Sequence, residues 1–327
     1  LATPHSIELS TAPIGPLVAI RRVERVLLAT ETVAIGEIRC DPSEPEFDGC
    51  DRLQNYFIGF PRSVCRIQRD DGPAYVSTSM VAPLFNVGSG YRRWPVGSAP
   101  ENSMWIVVGE GTLREIVREF DAHGARNPSG SLLRFSAIPL ARGCFEEAIA
   151  IRASARGPCD PMEIEERAVS LVVATLRIGY SPFDSVPGKR VRSSTRGRHR
   201  RIVEDAKAFV AATLPRRVSL SDIGRAAGAS PFHLSRVFRI ATGRSLSAYA
   251  NELRIRTAVS MLEERSLDLT TMAFQLGFAS LSHFSSTFKR LVTESPQAYR
   301  WALMRGGPWS VQGAGAGAPT SRPEVAP

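Results

Sequence analysis

The feature that most limits what this chain can fold into is a repeat in its C-terminal third. Leu220 and Gly228 are matched by Leu269 and Gly277, 49 positions further on. Ser230, His233, Phe238, Arg239, Ser245 and Tyr249 are matched by Ser280, His283, Phe288, Lys289, Ser295 and Tyr299, 50 positions further on. The offset changes within Phe278-Ala279, in a glycine turn, where a chain most easily accepts an extra residue. A self-similar period of this length means two copies of one supersecondary unit.

Each copy reads as helix, glycine turn, helix. In the first, Ser219 caps a helix carrying Leu220, Ile223 and Ala227, Gly228-Ala229 turns the chain, Ser230 caps the next helix and Pro231 takes its first position. In the second, Asp268 caps, Leu269, Met272 and Leu276 face inward, Gly277 turns and Ser280 caps again. A short glycine turn between two short helices is the helix-turn-helix signature. Leu234, Val237, Phe238 and Ala241 share one face of the second helix, and Phe284, Thr287, Phe288 and Leu291 are their counterparts. The other face carries Phe232, Ser235, Arg236 and Arg239, with Ser282, Ser285, Ser286 and Lys289 in the second copy. Small hydroxyls with Arg or Lys suit a DNA major groove, since Arg offers two bonds to guanine. The bland alternative is a solvated face. His233 and His283 fall at equivalent positions, which favours a structural role over a metal or acid–base one, and no HxH or HExxH occurs.

Charge separates the two halves. Residues 1–180 carry 19 Lys and Arg against 22 Asp and Glu, a net of −3, whereas residues 181–305 carry 21 against 9, a net of +12. A polyanion partner is expected for the second half only. Residues 181–199 read as a basic linker, with Lys189, Arg190, Arg192, Arg196 and Arg198 among Ser, Pro and Gly. Such a linker either adds phosphate contacts or is a soluble tether. The tail, 306–327, is rich in Gly, Ala and Pro and is expected to be disordered.

The N-terminal half, 1–180, reads as strands followed by helices. Spans 26–38, 56–68, 74–85 and 104–108 are rich in Val, Ile, Phe and Tyr, and Asp70-Asp71-Gly72-Pro73 and Gly88-Ser89-Gly90 break them. Helices are expected over 113–122, 141–155 and from Pro161 onward, the last capped by Asp160. The expected class is therefore α+β with two domains, a β-barrel with flanking helices followed by an all-α module. The five cysteines form no CxxC pair, and a reducing cytoplasm is the default. No apolar run is long enough for a membrane span, and no secretory leader is expected.

Residues ~200–303 resemble the DNA-binding domain of the AraC/XylS family of transcription regulators. The resemblance rests on Ser219-Leu220-Ser221-Asp222-Ile223, on the run from Ser230 to Phe238, on Leu276-Gly277-Phe278, on Ser282-His283-Phe284-Ser285 and on Ser295-Pro296-Gln297-Ala298-Tyr299. It implies two helix-turn-helix units on one long helix (246–264) that dock in successive major grooves. The base-reading positions carried over are Phe232, Ser235 and Arg236 in the first unit and Leu281, Ser282 and Ser286 in the second. The family often has Arg where Ser286 stands, and Ser cannot make the bidentate guanine contact. The first unit is therefore expected to discriminate sequence. Arg239, Ser280, Lys289 and Arg290 are expected on phosphates.

The first half resembles, more weakly, the family's cupin-like sensor and dimerisation domain, through Phe60-Pro61-Arg62, Leu84-Phe85-Asn86-Val87-Gly88 and Tyr91-Arg92-Arg93. No His lies between residues 6 and 122, so no catalytic metal and no cofactor are expected. An effector would sit in the lumen, among Tyr56, Phe85, Tyr91, Arg93 and Trp105, residues that equally suit plain barrel core. The resemblance further implies a cytoplasmic homodimer that activates promoters, contacts RNA polymerase and uses no membrane. The rival readings are a thiol or cupin-type enzyme with a DNA-targeting module and a non-specific architectural binder with Phe232 and Leu281 as wedges.

Overall fold

The computed structural model describes residues 24–44, 47, 52–120, 131–180, 193–216, 218–263 and 267–304. Three of the strand spans expected from sequence are each two strands. Span 26–38 is the hairpin β1 (Glu24–Ala29) and β2 (Val33–Cys40), span 56–68 is β3 (Phe57–Pro61) and β4 (Cys65–Arg69), and span 74–85 is β5 (Tyr75–Ser77) and β6 (Val81–Phe85). The turns between them carry neither Gly nor Asn. Hydroxyls make two of them: Thr30 Oγ1 accepts from Val33 N (3.1 Å), and Thr78 Oγ1 from Met80 N (3.2 Å). Then follow β7 (Tyr91–Pro95), β8 (Glu101–Val108), α1 (Glu110–Phe120), β9 (Ala137–Pro139), α2 (Arg142–Ala155) and α3 (Pro161–Tyr180). Asp160 caps α3 as expected, accepting from Met162 N at 2.9 Å.

The strands form two antiparallel sheets, ordered β1-β2-β8-β3-β6-β9 and β5-β4-β7. The barrel expected from the sequence is not closed. At the β5 edge a carboxylate takes the place of a neighbouring strand: Val76 N donates to Glu204 Oε2 at 2.6 Å, and Glu204 belongs to the C-terminal module. Ile38, Cys40, Phe47, Cys65, Ile67 and Phe85 form one apolar cluster. Val33, Ile35, Ile58 and Ile106 instead join Leu113, Phe145 and Leu171 of the helices.

Among the described residues every element of the C-terminal module is a helix: α4 (Ser193–Ala212), α5 (Leu220–Ala226), α6 (Pro231–Thr242), α7 (Leu246–Leu262), α8 (Leu269–Gln275), α9 (Leu281–Val292) and α10 (Pro296–Met304). Residues 193–199, expected in the linker, are the first turns of α4. Arg has good helix propensity, and the Ile202, Val203, Ala206, Val210 stripe anchors the helix that they extend. The remaining linker residues and the tail from 305 onward lie outside the described residues. Among the described residues no helix is long and apolar enough to cross a membrane.

Helix α7 belongs to two cores. Leu246, Tyr249 and Leu253 pack with α4, α5 and α6, whereas Ile255, Ala258, Val259 and Leu262 pack with α8 and α9 and are continuous with the core of the N-terminal half. Its polar residues reach into that half as well. Arg256 is 2 % exposed, binds Glu252 Oε1 (2.9 Å) on its own helix, and donates to the Ser79 and Leu140 carbonyls of the other domain. Arg142 grips the same Glu252 with two bonds, at 3.1 and 2.8 Å. Burial alone would raise the Glu252 carboxyl, but these two guanidiniums hold it below the ordinary value. At the far end Glu263 meets Arg62 (2.5 Å) and Arg152 (2.6 Å).

Removing one partner of a buried ion pair strands the other without water. Arg256→Ala should therefore destabilise the full chain by about 3–5 kcal/mol in equilibrium denaturation. A loss within the error of the measurement would contradict the burial of this pair.

Glu146 of α2 lies at the same junction, and its Oε1 is buried without a hydrogen-bond partner among the described residues. Burial pushes its carboxyl up to about 7, and Glu252 and Glu294 push the same way against Arg142 and Arg256. The folded state thus prefers the neutral acid. The penalty is absent below the ordinary carboxylate value, grows between about 4.5 and about 7, and is complete above. Glu146→Gln should stabilise the protein by about 2–3 kcal/mol at pH 8 and hardly at all near pH 4.5, read from thermal melts across that range.

Candidate nucleic-acid interface

The repeat is three-dimensional. In the first unit the Phe238 ring meets Tyr249 edge-on at 5.3 Å and 83°; in the second Phe288 meets Tyr299 at 5.7 Å and 78°. All four rings are buried. This contact explains why Phe and Tyr recur at the 50-residue offset.

The caps fall where the sequence puts them. Ser219 and Asp222 form a reciprocal capping box, each side chain taking the other's backbone N–H at 3.1 Å. Asp268 accepts from Thr270 N (2.8 Å) and Thr271 N (3.0 Å). Ser230 and Ser280 accept from His233 N (3.3 Å) and His283 N (3.1 Å) at the starts of α6 and α9. The turns run through Gly228 at φ 63° and Gly277 at φ 77°. At Gly277 a Cβ would also stand 2.6 Å from the Pro215 carbonyl, so the turn requires glycine on two grounds. The extra residue of the second turn lets Phe278 fold inward, 5 % exposed, onto Phe284 at 5.3 Å.

Leu234, Val237 and Phe238 are buried as expected, and so are Phe284, Thr287 and Phe288. Ala241, expected on this buried face, is instead exposed: its methyl is too short to reach the core that the equivalent Leu291 of α9 partly enters. The two copies end differently. Gly243 closes α6 at φ 69°, whereas Thr293 occupies the same left-handed position after α9 at φ 73°. A β-branched residue is costly there. Thr293→Gly should stabilise the chain by about 1 kcal/mol in urea unfolding; a destabilised variant would mean that the Thr293 side chain contributes more than its backbone costs.

The opposite faces of α6 and α9 are open. Phe232 is 80 % exposed, and Ser235, Arg236 and Arg239 are exposed beside it. On α9, Leu281, Ser282, Ser286, Lys289 and Arg290 are exposed, as is Ser280 at its cap. Ser286 Oγ donates back to the His283 carbonyl at 3.1 Å. Each helix therefore presents its expected base-reading and phosphate residues together. His233 and His283 give their backbone N–H to the caps, and their rings pack edge-on against His199 (5.4 Å) and Phe278 (5.4 Å). Among the described residues no cluster of His, Cys, Asp and Glu could hold a metal.

The five residues expected around an effector do not converge on one site. Phe85 and Tyr91 stack at 4.7 Å in the cluster with Cys40 and Cys65, and Arg93 lies 5.8 Å above Tyr91, paired with buried Glu101 and donating to the Phe47 carbonyl at 3.1 Å. Tyr56 belongs to the cluster with the helices, and Trp105 packs with Ala34 and Val107. A cavity of about 640 Å³ lies instead at the domain junction, lined by Arg156, Cys159, Glu163, Leu262, Glu263 and Met304 among others. The thiols of Cys40, Cys65 and Cys144 are buried and pushed up by that burial, Cys40 to about 11, which disfavours the reactive thiolate. Cys50 lies outside the described residues. Sequence reading missed Glu252, Arg256 and Glu263; the i,i+4 spacing of the first two was visible, their burial was not.

Two capped units on one shared helix, each with an open polar face, define a helix-turn-helix DNA-binding regulator. A family model described as "Helix-turn-helix domain" matches residues 223–302. The HTH-type transcriptional activator AarP of Providencia stuartii is 32 % identical over 99 residues, 30 % of this chain and 73 % of AarP. The HTH-type transcriptional regulator GlxA of Rhizobium meliloti is 36 % identical over 87 residues, 27 % of each protein, so this chain matches only about a quarter of GlxA's length. A solved transcriptional regulator of Chromobacterium violaceum with an AraC-type DNA-binding domain is 26 % identical, over 35 % of this chain and 98 % of that one, with a TM-score of 0.32. The chain belongs to the AraC/XylS family of transcription regulators. These relatives are regulators rather than enzymes.

Proposed function

We propose that this regulator binds promoter DNA sequence-specifically through both units and activates transcription from a site beside or overlapping the promoter, contacting RNA polymerase. The observation that carries this reading is the pair of matched exposed faces on α6 and α9, held by one helix within a segment of net charge +12. Helix α7 has 17 residues, about 25 Å of rise, and sets the spacing of two faces that would enter major grooves about 34 Å apart.

Phe232, Ser235 and Arg236 would read bases in one groove, and Leu281, Ser282 and Ser286 in the next. Arg236 reads guanine with two bonds, whereas Ser286, with its hydroxyl donated to its own helix, adds little. Arg239, Ser280, Lys289 and Arg290 would hold phosphates and fix the register. The N-terminal half would sense a signal and form a homodimer, and the cytoplasm is the working compartment. A signal there has a physical route to the DNA, since Arg142, Arg62 and Arg152 grip α7 directly. Any ligand that changes this grip shifts the balance between arrangements of the two units.

Arg236→Ala should cost about 1–3 kcal/mol of binding to a selected site and relax the preference at one base pair, whereas Lys289→Ala should weaken all sequences alike. Binding titrations against a site and its single-base variants measure both. Unchanged affinity and preference in both variants would refute the docking.

A further inference from the structure

Helix α4 lies largely outside the helix-turn-helix units, yet it touches the first of them at the point that matters most. Its second half is buried through Ile202, Val203, Ala206 and Val210. Its first half runs on, and there His199 meets the His233 ring edge-on at 5.4 Å and 61°. His233 sits in the first turn of α6, next to Phe232 and within one turn of Ser235 and Arg236. The second unit holds its equivalent His283 with Phe278 from its own turn. The first unit has Ala229 in that turn and draws the ring from α4 instead.

This contact brings a basic helix end to the mouth of the reading face. Arg196, Arg198 and Arg200 are all exposed, and none is paired with a carboxylate among the described residues, whereas their neighbour Arg201 leans toward Asp205 at 3.6 Å. At 100° per residue, Arg196 and Arg200 share one flank of the His199 seam and Arg198 takes the other. Glu204 and Asp205, the nearest acids on the helix, are turned to the N-terminal domain, where they meet Val76 N and Arg66. The positive charge at this end of α4 is therefore left uncompensated beside a surface that faces a polyanion.

We propose that the first turns of α4 are a third DNA-contacting element, in which Arg196, Arg198 and Arg200 bind backbone phosphates flanking the groove entered by α6. The proposal rests on the DNA-binding reading above and extends the footprint beyond the two units. Such contacts raise affinity for any duplex and carry no base preference. His199 is a positioning residue, holding the arginines in place through His233.

The test uses the full chain and a duplex of arbitrary sequence, titrated between about 50 and 200 mM salt. The variant R196Q/R198Q/R200Q should lower the slope of log affinity against log salt by about two to three, since each phosphate left without its arginine takes about 0.9 from the slope. His199→Ala should lower the slope in the same direction, and His199→Phe, which copies the ring of the second unit, should restore it. The base preference at a selected site should not change. A slope equal to wild type would overturn the proposal. An equal fall in R92Q/R118Q, which removes exposed arginines of the N-terminal domain, would also overturn it, since net charge alone would then account for the effect. In either case a retained response to Arg236→Ala leaves the helix-turn-helix reading standing. Absence of duplex binding by the wild type at any of these salts would overturn both.

Discussion

Leu246, Tyr249 and Leu253 on the first half of α7 complete the core of one helix-turn-helix unit, and Ile255, Ala258, Val259 and Leu262 on the second half complete the other. A helix shared in this way cannot bend without opening a core. Packed interiors resist such distortion, so the spacing of the two exposed faces changes only where the hold on α7 changes. The same helix and its C-cap carry Glu252 and Glu263, which pair with Arg142, Arg62 and Arg152 of the N-terminal half, and Arg256, which donates to the Ser79 and Leu140 carbonyls there. The spacing of the two exposed faces and the ionic contacts of the first domain thus meet on one element.

The two units are tied to the first domain unequally. The core of the second unit is continuous with the helices of the N-terminal half. The first unit has a separate core that reaches the other domain through Met80 and through the ionic contacts of α4. The unit whose core is continuous with the N-terminal half is the one with Ser286 at the position equivalent to Arg236. The unit with Arg236 is joined mainly by polar contacts.

Much of the C-terminal module was legible because its determinants are local. Ser219, Ser230, Asp268 and Ser280 signal helix starts through their own side chains, Gly228 and Gly277 signal turns through their backbone, and the Phe–Tyr contact recurs in register. The open faces of α6 and α9 followed from helical spacing alone. The N-terminal half was less legible. Its turns use Thr30 and Thr78 in place of glycine, so consecutive strands read as one, and the short strands β7 and β9 carry little pattern. The open edge of β5 was beyond reach, because Glu204, its partner, stands 128 positions away. Glu252 and Arg256 read as an ordinary surface pair until burial from another domain is known. Tyr56 and Trp105 are aromatic residues on strands like Phe85 and Tyr91, and only the register assigns them to different clusters.

The central claim is that the two faces held by α7 read a DNA sequence together. Affinity selection of fragmented genomic DNA on the purified full chain at about 150 mM salt, where attraction to phosphate alone is weak, tests it most directly. The account predicts enrichment of a shared motif, with two blocks about one helical turn apart and the stronger base preference in the block facing α6. Uniform recovery of fragments without a motif, both by the full chain and by residues 185–305 alone, would contradict it.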